Sequence, residues 1–287
     1  MNPIIKTIIA ATIAIMTWGS AFVFIRIGIM GYSPGPLALF RFFISSVLMS
    51  IFYFRLKIRQ KPTIIELMQL ALIGITGIAA YSVLLNYGEI SVSASIASFI
   101  IGIGPIVSMI WASIFFNEKI ASKSWIGVSI SMIGVFIIAI SRHTPGKLNW
   151  HIFFIIGAMI LGGIYNVAQK PLMKKFHPIE VATISAWAGT LTLFIYFPEL
   201  IHQISKTSWN ITSGVIYLGI VPGMLGYMAW SYVMNSKIPA SKLVLSLYTL
   251  PLVSTLLGWI ILSEIPAMLA IVGGCVALFG AVVATRA

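Results

Sequence analysis

Long apolar stretches alternate with short polar connectors along the whole chain. Each apolar stretch contains about 20 residues, the length that an α-helix needs to cross a hydrocarbon core about 30 Å thick. The pattern predicts ten membrane-spanning helices, which we number spans 1 to 10. They cover residues 4–27, 36–54, 64–87, 93–116, 123–141, 151–170, 179–198, 211–234, 240–262 and 266–284. The longest connectors, around residues 142–150 and 198–210, are too short to fold alone, so the sequence predicts an all-α integral membrane protein.

The composition agrees with this prediction. Hydrophobic residues make up 59% of the chain and charged residues only 8%, with six Glu and no Asp. A soluble domain carries about 25% charged residues, so a soluble protein is excluded. A net charge of +12 would favour nucleic acid as the partner of a soluble protein, but here the cations lie between apolar spans. We therefore expect the lipid bilayer as a partner and no nucleic acid.

Lysine and arginine residues concentrate on one predicted side of the membrane. That side holds Lys6, Arg55, Lys57, Arg59, Lys61, Lys119, Lys123, Lys170, Lys174, Lys175, Lys237, Lys242 and Arg286, and the other side holds Arg26, Arg142, Lys147 and Lys206. Because basic connectors stay in the cytoplasm, we predict an inner (plasma) membrane protein with both termini cytoplasmic. Span 1 also has features of a signal peptide, but its apolar run continues past Gly19 and Ser20, so we expect it to be retained.

The chain repeats one pattern at a fixed offset. Four residue pairs in and just after spans 4 and 9 are 146 residues apart: Pro105/Pro251, Val107/Val253, Ser108/Ser254 and Glu118/Glu264. Nearer the start of the chain, Gly19 pairs with Gly163 and Arg26 with Lys170 at an offset of 144. Residues 1–141 and 151–285 are therefore predicted to be two versions of one five-helix unit. Because five crossings is an odd number, the second unit must enter the membrane from the opposite face.

Inverted repeats are typical of secondary transporters, because the two halves can exchange conformations and open one central site to each side in turn. Shared ancestry of the halves without transport is the alternative. The motifs TWGSAFVFIRIG in span 1, ALFRF in span 2, and SVSASIASFIIGIGPIVSMIWASIFFNEKI followed by GVSISMIGVFII resemble the EamA-like branch of the drug/metabolite transporter superfamily. The resemblance covers both repeats. It implies a central cavity lined by spans 1, 3, 4, 6, 8 and 9, with spans 5 and 10 at the periphery, and export of amino acids, other metabolites or drugs.

The repeated prolines are candidates for flexible points. Pro105 lies about 12 residues into span 4, roughly 18 Å deep at 1.5 Å per residue. A proline there removes one helical hydrogen bond and obstructs another, and hydrocarbon tolerates the freed carbonyl groups only beside protein or water. We predict hinges at Gly102, Pro105 and Pro251 that border the substrate site. A packed structural kink is the alternative.

Polar and aromatic side chains within the spans are candidates for substrate binding. Amides and phenols at membrane depth need hydrogen-bond partners and usually face the interior of a helix bundle. The candidates are Trp18, Tyr81, Ser98, Tyr165, Asn166, Gln169, Tyr227, Trp230 and Tyr248. We expect Tyr248 to project where its repeat partner Gly102 has no side chain, and Tyr81 and Tyr227 to form an outer and an inner gate. Polar packing between helices is the alternative for each residue singly.

Charged residues restrict the mechanism. All six Glu lie at predicted helix ends, so a carboxylate relay at the membrane midplane is not expected, and proton coupling would need Glu89 or protonation of the substrate. Glu118 and Glu264 precede spans 5 and 10 and are expected to accept backbone N–H groups at the start of the next helix. Arg41 is expected to snorkel or to make structural hydrogen bonds, because span 2 is not predicted to line the cavity. Attraction of a carboxylate is its alternative role.

Small residues suggest how the peripheral spans pack. Spans 5 and 10 carry Gly127 with Ser131 and Gly273 with Ala277 at four-residue spacing, which permits close helix contact. We favour packing within one chain over a dimer interface, so the protein is predicted to be a monomer or homodimer. Cys275 is the only cysteine, which rules out an internal disulfide, and it is expected to be a packing residue.

These observations favour a secondary transporter that exports small neutral or zwitterionic metabolites, with amino acids as the leading substrates. A translocator of lipid-linked sugars and a multidrug exporter are the alternatives. A membrane enzyme is the least favoured class, because the chain has no Asp and its four histidines lie in or beside connectors, without ligand spacing for a metal. We expect no cofactor, no metal site and no catalytic residue.

Overall fold

The computed structural model describes residues 3–116, 120–140, 149–236 and 245–286. Within these residues every regular element is helical and there is no strand. We label the longer helices in chain order as α1 (Pro3–Ile29), α2 (Pro34–Arg55), α3 (Ile64–Glu89), α4 (Ala94–Phe116), α5 (Ser122–Ile140), α6 (His151–Leu172), α7 (Pro178–Ile204), α8 (Trp209–Met234), α9 (Leu250–Leu262) and α10 (Met268–Arg286). A 3₁₀ turn, Leu245–Thr249, leads into α9.

Seven of the described helices, α1 to α4 and α6 to α8, are long and apolar enough to cross a membrane. Three shorter apolar helices cover Ser122–Ile138, Leu247–Leu262 and Met268–Ala284. Large apolar side chains cover the outside of the bundle, such as Phe54 at 64% and Ile195 at 75% exposed. In water this surface would be very unfavourable, whereas lipid accommodates it. The protein is thus a multi-pass helical membrane protein, and ten crossings stay a prediction.

One helix boundary differs from the expected one. The sequence predicts that a connector begins at about residue 198, but the helix α7 continues to Ile204. It passes through a 3₁₀ turn at Phe194–Tyr196 into a further helical segment, Phe197–Ile204. Pro198 does not end the helix, since it is the second residue of that segment, where a backbone N–H has no helical partner. Glu118, with its predicted role before span 5, lies outside the described residues.

The helices α3 and α8 carry the same irregularity. Each contains a π-helical turn, at Ile75–Ala80 in α3 and at Gly219–Gly226 in α8, and each turn is followed directly by a tyrosine, Tyr81 or Tyr227. The two turns end 146 residues apart, the same offset that the sequence repeat has. A π-helical turn is rare and is often found at functional sites. The second turn also contains Pro222, which cannot donate a helical hydrogen bond.

The repeated prolines lie where helices are interrupted. The helix α4 is broken at Ile103 into Ala94–Gly102 and Gly104–Phe116, and Pro105 is the second residue of the second part. In the same way Pro251 is the second residue of α9. A proline is well accommodated in the first turn of a helix because its missing N–H would have no helical partner there. Gly102, Pro105 and Pro251 thus lie beside helix interruptions, and their role as hinges stays a prediction.

The repeated glycine and valine residues form two corresponding contacts. A Cβ atom at Gly19 of α1 would lie 2.6 Å from Cγ1 of Val253 in α9, and a Cβ at Gly163 of α6 would lie 2.5 Å from Cγ1 of Val107 in α4. Both distances are too short for a side chain, so only glycine allows these helices to pack so closely. The pairs of residues found in the sequence therefore reflect one helix contact made twice.

The helices α5 and α10 pack on each other along their small residues. A Cβ at Gly127 would lie 2.5 Å from the Gly280 carbonyl oxygen, and Ser131 donates a hydrogen bond of 2.7 Å to the Ala277 carbonyl. This contact within the chain matches the favoured use of the small residues. Cys275, by contrast, is exposed on α10. Its expected role as a packing residue is therefore wrong, because it lies on the side of α10 turned away from its neighbours.

Two polar clusters mark opposite ends of the bundle. At one end, Lys175 Nζ lies 2.7 Å from Glu66 Oε2, and the backbone N–H of Gln60 donates to Glu180 at 2.8 Å. The basic segments after α2 and α6 therefore lie at the same end, as the charge pattern predicts. The opposite end, where α3 and α9 finish, contains Glu264.

Glu264 joins three helices at that end. Its Oε1 lies 3.0 Å from Arg26 Nε in α1, and its Oε2 accepts a hydrogen bond of 3.2 Å from the backbone N–H of Ala94 at the start of α4. The expectation that Glu264 accepts a backbone N–H at a helix start is confirmed, but the helix is wrong. The chain bends after α9 at Ser263, which has a left-handed backbone with φ of 54°, and this turn directs Glu264 toward α4 instead of α10.

Candidate functional site

A cavity lies between the helices, with about 780 Å³ of atom-free space including its open part. Its lining comes from α1, α2, α3, α4, α6, α8, the 3₁₀ turn before α9 and α9 itself, and none of the described residues of α5 or α10 contributes. The six helices implied by the family resemblance all take part. The helix α2 takes part as well, which the sequence did not predict.

Five of the predicted binding residues line this cavity: Trp18, Tyr81, Tyr165, Asn166 and Tyr227. The ring of Tyr227 connects three of them, because it meets Trp18 edge-on at 5.5 Å and Tyr165 edge-on at 5.9 Å between ring centroids. Edge-to-face contacts at such distances are favourable. The result is an aromatic wall contributed by three different helices, with one side-chain amide beside it.

The π-helical turns hold this aromatic wall in place. The indole N–H of Trp18 donates a hydrogen bond of 3.3 Å to the carbonyl of Pro222, within the turn of α8. A Cβ at Gly226 would lie 2.8 Å from the Trp18 indole nitrogen, and a Cβ at Gly77 would lie 2.5 Å from Cδ2 of Tyr165. Each turn thus uses a glycine to admit an aromatic side chain from the other half of the sequence.

Trp230 lies behind the wall. Its side chain is 1% exposed and its indole N–H donates to Asn166 Oδ1 at 3.2 Å. Its ring lies 5.3 Å from that of Trp18. Trp230 therefore does not border the cavity but fixes the orientation of two residues that do.

Three further predicted residues lie away from the cavity. The hydroxyl of Ser98 donates to the Ser95 carbonyl at 2.7 Å, within its own helix. Gln169 is fully buried, and neither amide atom has a partner in the described part of the chain. The hydroxyl of Tyr248 donates to the Ala281 carbonyl of α10 at 3.0 Å. Tyr248 therefore faces α10 instead of the cavity, because it belongs to a 3₁₀ turn whose three-residue period rotates it away from the expected face.

Tyr81 and Tyr227 border one cavity and neither ring faces lipid. Tyr81 packs on α6, where a Cβ at Gly162 would lie 3.3 Å from its ring. Because each tyrosine follows a π-helical turn, a change in either turn would move its ring. Their roles as separate outer and inner gates stay a prediction.

The helix interruptions also reach the cavity. Ile101 and Gly104 flank the break in α4, and Leu247 and Leu250 flank the corresponding start of α9; all four line the cavity. A Cβ at Gly102 would lie 3.3 Å from Cγ of Pro251, so the two interruptions touch each other. A rearrangement at either one would alter the shape of the cavity.

Arg41 lines the cavity, although the sequence did not predict that span 2 would do so. It is only 4% exposed and lines the cavity, so the expectation that it snorkels is wrong. Its guanidinium lies 4.9 Å from the centroid of the Phe42 ring. Among the described residues it donates no hydrogen bond, and its buried Nε has no partner.

Close packing of α2 against α8 positions Arg41. A Cβ at Gly219, in the π-helical turn, would lie 2.9 Å from the Arg41 carbonyl oxygen, and Ser45 donates a hydrogen bond of 2.8 Å to the Gly219 carbonyl. This contact turns the face of α2 that carries Arg41 and Ser45 toward the bundle interior. The sequence contained one signal for it, since two polar residues four positions apart in an apolar span indicate a buried face.

Glu89 is the other buried charged-type residue near the site. It is 0% exposed at the end of α3, and neither carboxyl oxygen has a hydrogen-bond partner in the described ranges. Arg26 donates to the main-chain carbonyl of Glu89, not to its carboxyl group. Glu89 does not border the cavity, in agreement with its predicted position at a helix end.

Comparison with known proteins agrees with this architecture. The chain is 32% identical to a probable terminal-alkyne amino-acid exporter of Streptantibioticus cattleyicolor, over 98% of this chain and 94% of that protein. It is 34% identical to the uncharacterized transporter YdfC of Bacillus subtilis, over 96% and 90% of the two chains. One solved structure superimposes with a TM-score of 0.68 at 17% identity, covering 98% of this chain and 96% of that one, and shows the same fold.

The family comparison covers both halves. Residues 5–140 and 149–286 each match the EamA-like transporter family. A further relative, the inner membrane transporter YedA of Escherichia coli, is 23% identical over 84% of this chain and 78% of its own. The chain belongs to the EamA-like transporter family, within the drug/metabolite transporter superfamily.

Proposed function

We propose that the protein is an inner-membrane secondary transporter that exports small neutral or zwitterionic metabolites, with amino acids as its main substrates. The observation that carries this proposal is the cavity itself, an aromatic wall with one side-chain amide and one arginine, bordered by two corresponding helix interruptions. Similarity to a probable amino-acid exporter over nearly the full length supports the same substrate class. Family membership favours transport over enzymatic catalysis.

Alternating access between residues 1–141 and 151–285 is the proposed mechanism. The two units would cross the membrane five times each in opposite senses. Support comes from the corresponding contacts Gly19–Val253 and Gly163–Val107 and from the two π-helical turns. Gly102, Pro105 and Pro251 would act as hinges, because the interruptions that they form touch each other beside the cavity.

The proposed orientation places both termini in the cytoplasm. The basic segments at residues 55–61 and 171–177 would then share the cytoplasmic side, in agreement with the ion pair between Lys175 and Glu66. Reporter fusions after each segment test this orientation. Location of the two reporters on different sides of the membrane would contradict both the orientation and the inverted repeat.

The charge of the cavity separates the proposed substrates from the alternatives. Arg41 is the one charged residue among the described lining residues, which is unfavourable for a cationic drug. A lipid-linked sugar carries phosphate and would need a basic groove at the cytoplasmic leaflet. Lys170, Lys174 and Lys175 after span 6 are the candidates for such a groove, and Lys175 is paired with Glu66 at 2.7 Å. A zwitterionic amino acid therefore suits the cavity better than either alternative.

Counterflow in proteoliposomes tests the proposed function. We expect the purified protein to exchange radiolabelled L-phenylalanine or L-leucine from an amino-acid panel, measured with and without a pH gradient. The variant Trp18→Ala removes part of the aromatic wall and should lower the exchange rate by about tenfold. Trp259→Ala is the matched control, because Trp259 is 58% exposed on α9. Exchange stimulated only by polyprenyl-phosphate sugars would contradict the proposal and favour the translocator.

A further inference from the structure

We propose that Arg41 is the residue that selects the substrate, by binding a carboxylate group of the transported solute in the cavity. The inference rests on the proposed transport function and specifies the chemical group that the site recognises. Its basis is the position of a buried guanidinium, 4% exposed, on the wall of the cavity without a hydrogen-bonding partner among the described residues.

An arginine in this setting needs an anion. The guanidinium group keeps its positive charge under all physiological conditions. Burial of a charge away from water is strongly unfavourable unless hydrogen bonds and an opposite charge compensate it. Over the described residues, the only ion pairs within 4 Å are Arg26–Glu264 and Lys175–Glu66, so Arg41 has no such pair. The Phe42 ring at 4.9 Å compensates it only in part.

The groups around Arg41 leave room for a ligand to bind. Its electrostatic neighbours are Tyr227, Tyr81 and Glu89. Neither tyrosine hydroxyl nor the Glu89 carboxyl group makes a hydrogen bond to it, and both Glu89 oxygens themselves lack partners in the described structure. Glu89 is therefore a nearby acid that does not occupy the guanidinium, and the terminal Nη groups of Arg41 stay available to a ligand, whereas its Nε is fully buried.

A carboxylate fits these positions in geometry as well as charge. Arginine presents parallel N–H groups that match the two oxygens of a carboxylate, which makes the pair stronger and more specific than a single hydrogen bond. The rest of a zwitterionic solute would meet the rings of Trp18 and Tyr227 and the amide of Asn166, which line the same cavity. Aromatic faces are suitable neighbours for an ammonium group. The cavity thus offers complementary surroundings for both ends of an amino acid.

A comparison of amino acids with their amides, in which an amide group replaces the carboxylate, tests the inference. Unlabelled L-phenylalanine and L-leucine compete with the corresponding amides, L-phenylalaninamide and L-leucinamide, for counterflow of the labelled amino acids in proteoliposomes of the full-length protein. For the wild-type protein we expect the acids to bind at least about tenfold more tightly than the amides. This comparison requires no variant, so it holds even where a substitution disturbs folding.

Three variants locate the effect. Arg41→Gln should lower the apparent affinity for the acids by about tenfold or more and leave that for the amides unchanged, so that the preference disappears. Arg41→Lys keeps the charge but loses the paired N–H groups and should retain part of the preference. Arg55→Gln is the matched control, because it removes the same charge from an exposed position of the same helix and should keep the wild-type preference.

The outcomes separate the two proposals. Exchange of amino acids with equal affinity for acids and amides, or an unchanged preference in a folded Arg41→Gln protein, would overturn the role of Arg41 and leave transport standing. Absence of exchange for every acid and amide by the folded wild-type protein would overturn the proposed function, and the role of Arg41 with it.

Discussion

Arg26 and Arg41 lie in neighbouring helices of the first half of the chain, yet their surroundings are opposite. Arg26 Nε lies 3.0 Å from Glu264 Oε1, and its side chain also donates to the main-chain carbonyls of Glu89 and Ile90. Arg41 is more deeply buried and donates no hydrogen bond within the described structure. One arginine joins the ends of several helices, whereas the other faces a cavity.

This difference indicates two different contributions to the protein. A guanidinium with an ion pair and carbonyl partners stabilises the fold, because its loss would leave those partners unsatisfied. A buried guanidinium without partners lowers the stability of the fold. The presence of Arg41 is therefore better explained by binding than by folding. Loss of the Arg26 side chain should therefore lower the stability of the fold, whereas loss of the Arg41 side chain should impair substrate binding and leave the stability unchanged or higher.

The largest effect on stability is expected at Arg26. The variant Arg26→Ala should lower the free energy of unfolding by about 2 kcal/mol, because Glu264 and two carbonyls lose a charged donor. Thermal unfolding in detergent, followed by tryptophan fluorescence, measures the change, with exposed Arg55→Ala as the control. Glu264→Gln should cost less in the Arg26→Ala protein than in the wild type, since the two residues share one interaction. Additive losses would show that the pair contributes little.

A smaller effect, with the opposite sign, is expected at Arg41. Arg41→Met keeps much of the side-chain length and removes a buried charge without a partner, so the free energy of unfolding should stay unchanged or rise by up to about 1 kcal/mol. The same thermal measurement decides the sign. A decrease as large as that of Arg26→Ala would mean that Arg41 stabilises the fold, and the contrast between the two arginines would no longer hold.

The sequence predicted the framework better than the details of the site. The pairs Gly19/Gly163 and Val107/Val253 follow from offsets of 144 and 146 residues, and they make corresponding contacts in the structure because close helix packing needs glycine at those places. The repeated prolines likewise mark helix interruptions, since proline fits only where a backbone N–H is not required. Steric requirements of this kind restrict a position to glycine or allow proline there, so they can be predicted from the residue types alone.

The directions in which side chains point are harder to predict from the sequence. The prediction for Tyr248 assumed helical spacing, but the 3₁₀ turn at Leu245–Thr249 has three residues per turn and directs the hydroxyl to Ala281. Arg41 reaches the cavity because α2 packs on a π-helical turn of α8, at Gly219. Neither type of irregular turn has a clear sequence pattern, so the faces that they present are known only from the structure.

The smallest effect is expected at Glu89. Its carboxyl group is within electrostatic range of both arginines but is hydrogen-bonded to neither. Glu89→Gln should leave much of the transport activity intact. Glutamine has nearly the same shape, the described structure shows no side-chain hydrogen bond that would be lost, and the contact with Arg26 uses the main-chain carbonyl, which the substitution keeps. Counterflow of L-phenylalanine at normal expression measures the outcome. If transport were abolished while expression stayed normal, the Glu89 carboxyl group would have a direct part in coupling, and Arg41 would no longer be the only charged group needed beside the substrate.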